Sequence, residues 1–109
     1  MVSVDEELKA AKAAKAAIDA LLTTTRKSAV LATLSKARRA AVLNLSSGGT
    51  LNEARGSVGI ALSSVMHSRP EQEKIDKTKA AINTWIKELE ASATVRRTLD
   101  AAAKLLRGR

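Results

Sequence analysis

Basic side chains are the residues of this sequence whose types and spacing fit a definite chemistry, the binding of phosphate. Eight of them form three groups along the chain: Lys9, Lys12 and Lys15; Lys36, Arg38 and Arg39; Arg96 and Arg97. The first group is spaced by three residues, so on a helix its members would follow a slowly turning strip and meet successive phosphates. Ordinary solvated helix surface is the alternative interpretation, and it stays open for all eight.

Two of these groups carry a further argument. Arg38 falls within the angular range of the apolar residue Leu45, so its guanidinium must extend past the core edge or point into an interface. Arg96 and Arg97 are expected in the first turn of a helix, where each cation opposes the helix dipole by roughly a few tenths of a kcal/mol. Such a cost favours a binding role, and nearby acidic residues explain the two arginines equally well.

The excess of positive charge is spread along the chain. There are 19 Lys and Arg against 11 Asp and Glu, a net charge of +8, and residues 1–48 and 49–109 contribute equally to it. This distribution favours binding of a polyanion through a helical face, with phosphate contacts that give affinity and little base readout. Trp85, the single aromatic residue, is predicted in the core, so duplex RNA or DNA is the expected ligand.

Catalytic and metal-binding chemistry lacks the necessary residues. The acidic clusters at residues 5–7 and 71–73 stand at predicted helix starts, where capping and the helix dipole account for them. The sequence has one histidine, His67, and no cysteine, which excludes disulfides and His- or Cys-based metal clusters. We therefore expect no catalytic residue, no metal and no cofactor, and the protein is not expected to be an enzyme.

An all-α fold follows from the dominance of Ala, Leu, Lys, Arg and Glu and the scarcity of β-branched and aromatic residues. Three threonines predict a break near residues 23–27. Thr50 and Glu53 predict a capping box, and Pro70 is expected in the first turn of a helix. The predicted helical segments are roughly 4–22, 28–45, 50–66, 70–90 and 94–107.

The last break is inferred from a change of phase. The apolar residues Val95, Leu99, Ala102 and Leu106 form a stripe that is out of phase with the preceding apolar face, which consists of Ile75, Ile82, Trp85, Ile86 and Leu89. Ser92 or Thr94 could cap a new helix. We therefore expect the chain to break near residues 91–94.

An internal match bears on the architecture. Residues 15–22 match residues 79–86 at an offset of 64, and alanine-rich helices also produce such matches by chance. If residues 69–104 are a diverged copy of residues 5–40, two related helical hairpins pack around approximate two-fold symmetry, linked by residues 46–68. We expect one domain over residues 1–109, a compact bundle of four to five helices.

The predicted function is binding of the duplex phosphate backbone with little sequence specificity. In composition and helix order alone, the chain resembles small basic accessory proteins of viruses, phages and plasmids, among them compact duplex-RNA binders. No motif carries this resemblance, so it assigns no residue a role. A helical interaction or assembly module that binds a partner protein is the alternative function.

Some expectations hold under either function. A small alanine-rich core often needs another subunit, so we expect a homo-oligomer and specifically a dimer. The chain lacks a secretory signal and an apolar run, which predicts an intracellular protein, cytoplasmic or nuclear or in the nucleoid, and not a secreted one. Membrane binding is the weakest option, because the first helix starts with acidic residues and lacks aromatic anchors.

Overall fold

The computed structural model describes residues 2–108. Within this range the chain forms helices α1 (Val4–Ile18), α2 (Lys27–Leu43), α3 (Thr50–Met66) and α4 (Gln72–Arg107), and α1 is prolonged by a short 3₁₀ turn, Asp19–Leu22. No strand occurs in this part of the chain. The predicted all-α bundle is confirmed, and it has four helices.

Each helix packs against two neighbours, in the cyclic order α1, α2, α3, α4. The ion pairs Lys12–Glu90 and Asp19–Lys79 show that α4 runs antiparallel to α1. The arrangement is an up-and-down four-helix bundle. Its core takes mainly alanine from α1 and α2 and larger side chains from α3 and α4; it includes Ala11, Ala14, Ile18, Leu34, Ala37, Ala41, Val58, Leu62, Ile82, Trp85 and Leu89.

The break predicted near residues 23–27 is confirmed, because no helix covers residues 23–26. The Thr24 hydroxyl accepts a hydrogen bond from the Arg26 amide at 3.0 Å and so stabilises the turn. A threonine that satisfies a nearby backbone amide in this way competes with helix formation. The second connection turns at Gly48 and Gly49, whose φ angles of 78° and 90° favour glycine.

The predicted capping box at α3 is wrong. Gly49 occupies the N-cap position, and no side chain caps the helix. The Thr50 hydroxyl instead donates to Glu88 Oε2 of α4 at 3.0 Å. The hydroxyl that was expected to cap α3 therefore makes a hydrogen bond to another helix. Pro70 likewise lies outside the first turn of α4, which begins at Gln72.

The predicted break at residues 91–94 is also wrong, because α4 is one helix of 36 residues. Ser92 and Thr94 lie inside it, and the Thr94 hydroxyl donates to the Glu90 carbonyl at 2.9 Å, so it caps nothing. The change of phase reflects new surroundings, since every residue from 94 to 108 except Ala103 is exposed. The second of the two expected hairpins is therefore not formed, while the sequence repeat stays a prediction.

The continuous helix gives the molecule an elongated shape. The principal extents are 59, 26 and 21 Å. We call residues 94–107 the distal segment of α4, which extends about 20 Å along the helix axis. A membrane-spanning helix requires about 20 predominantly apolar residues, and no helix within residues 2–108 meets that requirement.

Candidate nucleic-acid interface

Helix α2 carries the most one-sided charge of the molecule. All of its charged residues are basic, and the sequence has no acidic residue between Asp19 and Glu53. Within residues 2–108 the ion pairs of the structure all lie on other elements, so the cations of α2 have no acidic partner there. The electrostatic potential at this helix is therefore not offset by paired acids.

The position of Lys36 and Arg39 follows from the buried face of α2. Leu34, Ala37 and Ala41 are fully buried. At 100° per residue, Lys36 and Arg39 point well away from Leu34, and both are exposed. Residues three apart are neighbours on a helix surface, so the two cations form an adjacent pair.

A groove between α1 and α2 brings Lys9 to this pair. Lys9, Lys36 and Arg39 line the groove, which has a volume of about 500 Å³, and we call these three residues the basic groove. The buried residues of the two helices are mostly alanine. The remaining lining residues are Val2, Glu6, Ala10, Ala13, Thr33, Ala40 and Leu43.

The other lysines of the first predicted group do not line this groove. Lys12 lies 4.0 Å from Glu90 of α4, and both side chains are more than half exposed, so the ion pair adds little stability. Lys15 is exposed on α1. The regular spacing of three thus distributes the lysines around α1 rather than directing them to a single surface.

Arg38 lies on the other edge of α2. It lines a second groove, between α2 and α3, together with the apolar residues Val42, Leu45 and Ile60. Its side chain is exposed. The side chain thus extends past the edge of the core into a groove between two helices, and Arg38 does not line the basic groove.

Arg96 and Arg97 are not in a first helical turn, since α4 begins at Gln72. The predicted conflict with the helix dipole is therefore wrong, because the dipole acts only near the helix ends. Both arginines line a shallow pocket with the acidic residues Asp5 and Asp100. Two acidic side chains therefore lie beside these arginines, whereas one, Glu6, lines the basic groove.

A buried polar cluster, which the predicted site residues do not include, lies at the centre of the bundle end. The Glu7 side chain is fully buried and accepts hydrogen bonds at both carboxylate oxygens. Arg55 donates through Nε and Nη2 at 2.9 and 2.7 Å, Asn44 through Nδ2 at 2.7 Å, and Trp85 through Nε1 at 2.7 Å. The cluster thus joins α1, α3 and α4 to the residue that follows α2.

This cluster fixes the helices that carry the basic groove. Asn44 also accepts a hydrogen bond from the Val2 amide at 3.1 Å, which ties the start of α1 to the end of α2. Within residues 2–108 no buried side-chain nitrogen or oxygen lacks a hydrogen-bond partner. The Glu7 carboxylate is therefore committed to structure, and its acceptors are occupied by protein donors.

One sequence signal could have revealed this cluster. Glu7, Ala11, Ala14 and Ile18 are spaced by four, three and four residues, which places the glutamate on the apolar stripe of α1. Its charge was instead assigned to the helix dipole together with Asp5 and Glu6. A lone acidic residue on an apolar stripe requires a buried cation, and Arg55 of α3 supplies it.

The basic groove can bind anionic oxygens in two ways. Lys9 and Lys36 supply point charges, whereas the Arg39 guanidinium can donate two parallel hydrogen bonds to one phosphate. Comparisons with protein-family models, with curated proteins and with solved structures find no match to this chain. The function must therefore be inferred from the charges and geometry of its own residues.

Proposed function

We propose that the protein binds the phosphate backbone of duplex nucleic acid, RNA or DNA, with little sequence specificity. The binding surface is the basic groove together with the outer face of α2. The observation that carries this proposal is that the cations of α2 have no acidic partner within residues 2–108. Cations without partners gain most from phosphate, because no ion pair must be broken first.

The proposal favours a duplex over a single strand. Single-strand binders stack bases on exposed aromatic side chains. Trp85 is the only aromatic residue of this chain, and it is fully buried, with its indole nitrogen bonded to Glu7. The surface therefore offers charge and helix shape to a ligand, which supports recognition of the backbone rather than of bases.

The number of cations sets the expected salt dependence. If Lys9, Lys36 and Arg39 each neutralise one phosphate, the logarithm of the association constant falls with the logarithm of salt concentration at a slope of about −3 per chain. Binding by one chain is therefore weak at physiological salt. A duplex long enough for several chains is the appropriate ligand for the test.

The test is fluorescence anisotropy with labelled duplex RNA, duplex DNA and single-stranded controls, at low and at near-physiological salt. The variant Lys36→Glu with Arg39→Glu is expected to lose duplex binding. The matched control, Lys77→Glu with Lys87→Glu, makes the same change in net charge on exposed residues of α4. It should retain most of the affinity, because these lysines lie outside the basic groove.

Circular dichroism must show equal helicity for the two double variants. Equal loss of affinity in both would mean that net charge alone attracts the duplex, and the assignment to α2 would be wrong. Binding of the unmodified chain that disappears entirely at near-physiological salt would contradict the proposed function.

Binding of a partner protein is a second candidate function. The groove between α2 and α3 exposes Val42, Leu45 and Ile60, and Ile60 is 75% exposed. With Arg38 at the edge, the groove fits a partner helix that has an apolar face and acidic flanks. Such binding would persist in the variant Lys36→Glu with Arg39→Glu and would be lost in Ile60→Glu, so the two functions are separable.

A further inference from the structure

The distal segment of α4 exposes four large apolar side chains, those of Val95, Leu99, Leu105 and Leu106. Val95, Leu99 and Leu106 are 59%, 64% and 77% exposed and form one stripe with Ala102. The charged residues of the segment lie outside this stripe, on its flank or on the far side of the helix: Arg96, Arg97, Asp100, Lys104 and Arg107. The segment is therefore amphipathic, although within residues 2–108 no other helix covers its apolar side.

The stripe continues the side of α4 on which α3 packs. Glu88 accepts a hydrogen bond from Thr50 at the start of α3. Val95 and Leu99 lie seven and eleven residues after Glu88, and these spacings return to the same side of a helix. The same holds for Ala102 and Leu106. Beyond the start of α3, the stripe thus offers the same side of α4 to another helix.

The accessible surface of the chain is larger than its mass predicts. A compact monomer of 11.5 kDa is expected to expose about 5,800 Å². The surface observed is 7161 Å², and the radius of gyration is 15.8 Å, against about 13 Å for a compact domain of this length. The excess exceeds the roughly 800 Å² that each partner contributes to a standard protein interface.

We propose that a second copy of this chain covers the stripe, with the two distal segments packed side by side in antiparallel orientation. The spacing of four, three and four residues between the stripe residues is that of a coiled-coil seam, which is filled by another helix of the same kind. A lipid surface fits less well, because interfacial helices present a broader apolar face that usually includes aromatic residues.

The position of α3 sets the antiparallel orientation. Packed helices lie about 8–10 Å apart, and α3 already occupies that distance on the stripe side of α4 up to Glu88. In a parallel pair, the bundle part of the second α4 would overlap this α3. In an antiparallel pair, the two bundles lie at opposite ends, and each distal segment continues the line of the other copy's α3.

This orientation also defines a register. Leu99 packs against Ala102 of the second copy, and Val95 packs against its Leu106. Each layer then pairs a larger side chain with a smaller one, as interdigitating cores require. The inference is independent of the proposed nucleic-acid binding, because none of the stripe residues belongs to the basic groove.

The first experiment measures the mass of the full chain over a range of concentrations by sedimentation equilibrium. The unmodified protein is expected to form a dimer, and Leu99→Glu to raise its dissociation constant by at least about tenfold, since the seam would bury an unpaired carboxylate. The matched control is Ala101→Glu, an exposed residue outside the stripe. Ala101→Glu should remain a dimer, and circular dichroism should show equal helicity for the two variants.

The second experiment tests the orientation. The chain has no cysteine, so introduced thiols report specific contacts. Thr98 and Leu105 lie at the same edge of the stripe, and in the antiparallel register Thr98 of one copy approaches Leu105 of the other. A mixture of Thr98→Cys and Leu105→Cys should form a disulfide-linked dimer on mild oxidation, whereas neither variant alone should do so efficiently.

Three results would overturn the proposal. The first is an unmodified chain that is a monomer at every concentration. A monomer that binds anionic phospholipid vesicles through Leu99 would count in the same way. Leu99→Glu could dimerise as tightly as the unmodified chain, which would place the interface elsewhere. Thr98→Cys alone could cross-link as efficiently as the mixture, which would contradict the antiparallel orientation.

Discussion

Two neighbouring regions of this molecule reverse the usual distribution of polar and apolar residues. Near the end of the bundle a carboxylate, Glu7, is fully buried, while beyond Ala93 the valine and leucines of the distal segment are more than half exposed. Glu7 has four donor groups within hydrogen-bond distance, whereas the Leu106 side chain is 77% exposed. Burial here depends on whether suitable partners are present, more than on polarity.

The two regions should also differ in how they respond to substitution. A buried charge is stable in the core when it is paired and all of its hydrogen bonds are made. Removal of one partner leaves the remaining polar groups without hydrogen bonds in the core. Substitution of an exposed apolar side chain should change the unfolding free energy of the monomer only slightly. The following variants test this contrast, in order of decreasing effect.

The largest effect is expected from Glu7→Gln. The amide would leave the Arg55 charge unpaired and turn its own donor group towards another donor, at a cost of about 3–5 kcal/mol in unfolding free energy. Urea titration followed by circular dichroism measures this change. Glu6→Gln, on the adjacent exposed residue, is the control and should change stability by less than about 0.5 kcal/mol. Equal stabilities of the two variants would mean that the buried Glu7 carboxylate does not stabilise the fold, which would contradict the contrast between the two regions.

A pair of leucines in one helix gives the next effect. Leu89 is fully buried, so Leu89→Ala should lower the unfolding free energy by about 2–5 kcal/mol. Leu99→Ala should change it by less than about 0.5 kcal/mol at a protein concentration well below the dissociation constant of the proposed dimer. Thermal unfolding at low protein concentration measures both. A large loss in Leu99→Ala under these conditions would mean that the distal segment packs on its own bundle.

The smallest effect is expected within the distal segment itself. The Thr98 hydroxyl donates to the Thr94 carbonyl at 3.0 Å, an arrangement that gives a helix no net support. Thr98→Ala should increase local helix stability by up to about 0.7 kcal/mol, the difference in helix propensity. Hydrogen exchange of residues 94–107 should slow in this variant, while exchange near Leu89 should not change. Uniform slowing along α4 would contradict the separation of the two regions.

Local patterns predicted the features of this fold that local forces determine. The helix predicted at residues 50–66 agrees with α3, and the three threonines predicted the break before α2. The capping box failed because Thr50 bonds to Glu88 of another helix. The break before Val95 failed because a change of apolar phase marks a change of neighbours, and a helix can continue through it.

The candidate site was predicted only in part, for a similar reason. Lys36 and Arg39 were visible as a dense group, but their combination with Lys9 depends on how α1 packs on α2. The Glu7–Arg55 pair joins residues separated by 48 positions, a distance that no helical periodicity covers. Sequence spacing thus predicted the members of each surface, while tertiary packing selected which of them act together.

The buried carboxylate has a consequence for the order of folding. The partners of Glu7 lie 37, 48 and 78 residues away along the chain, so its hydrogen bonds form only after long segments have closed. A partly folded state without α1 or α3 would leave Arg55 or Glu7 as an unpaired charge, and one without Asn44 or Trp85 in place would lack a donor to the carboxylate. In the monomer, the four helices of the bundle should therefore unfold in a single concerted transition, while the distal segment of α4 frays independently of it.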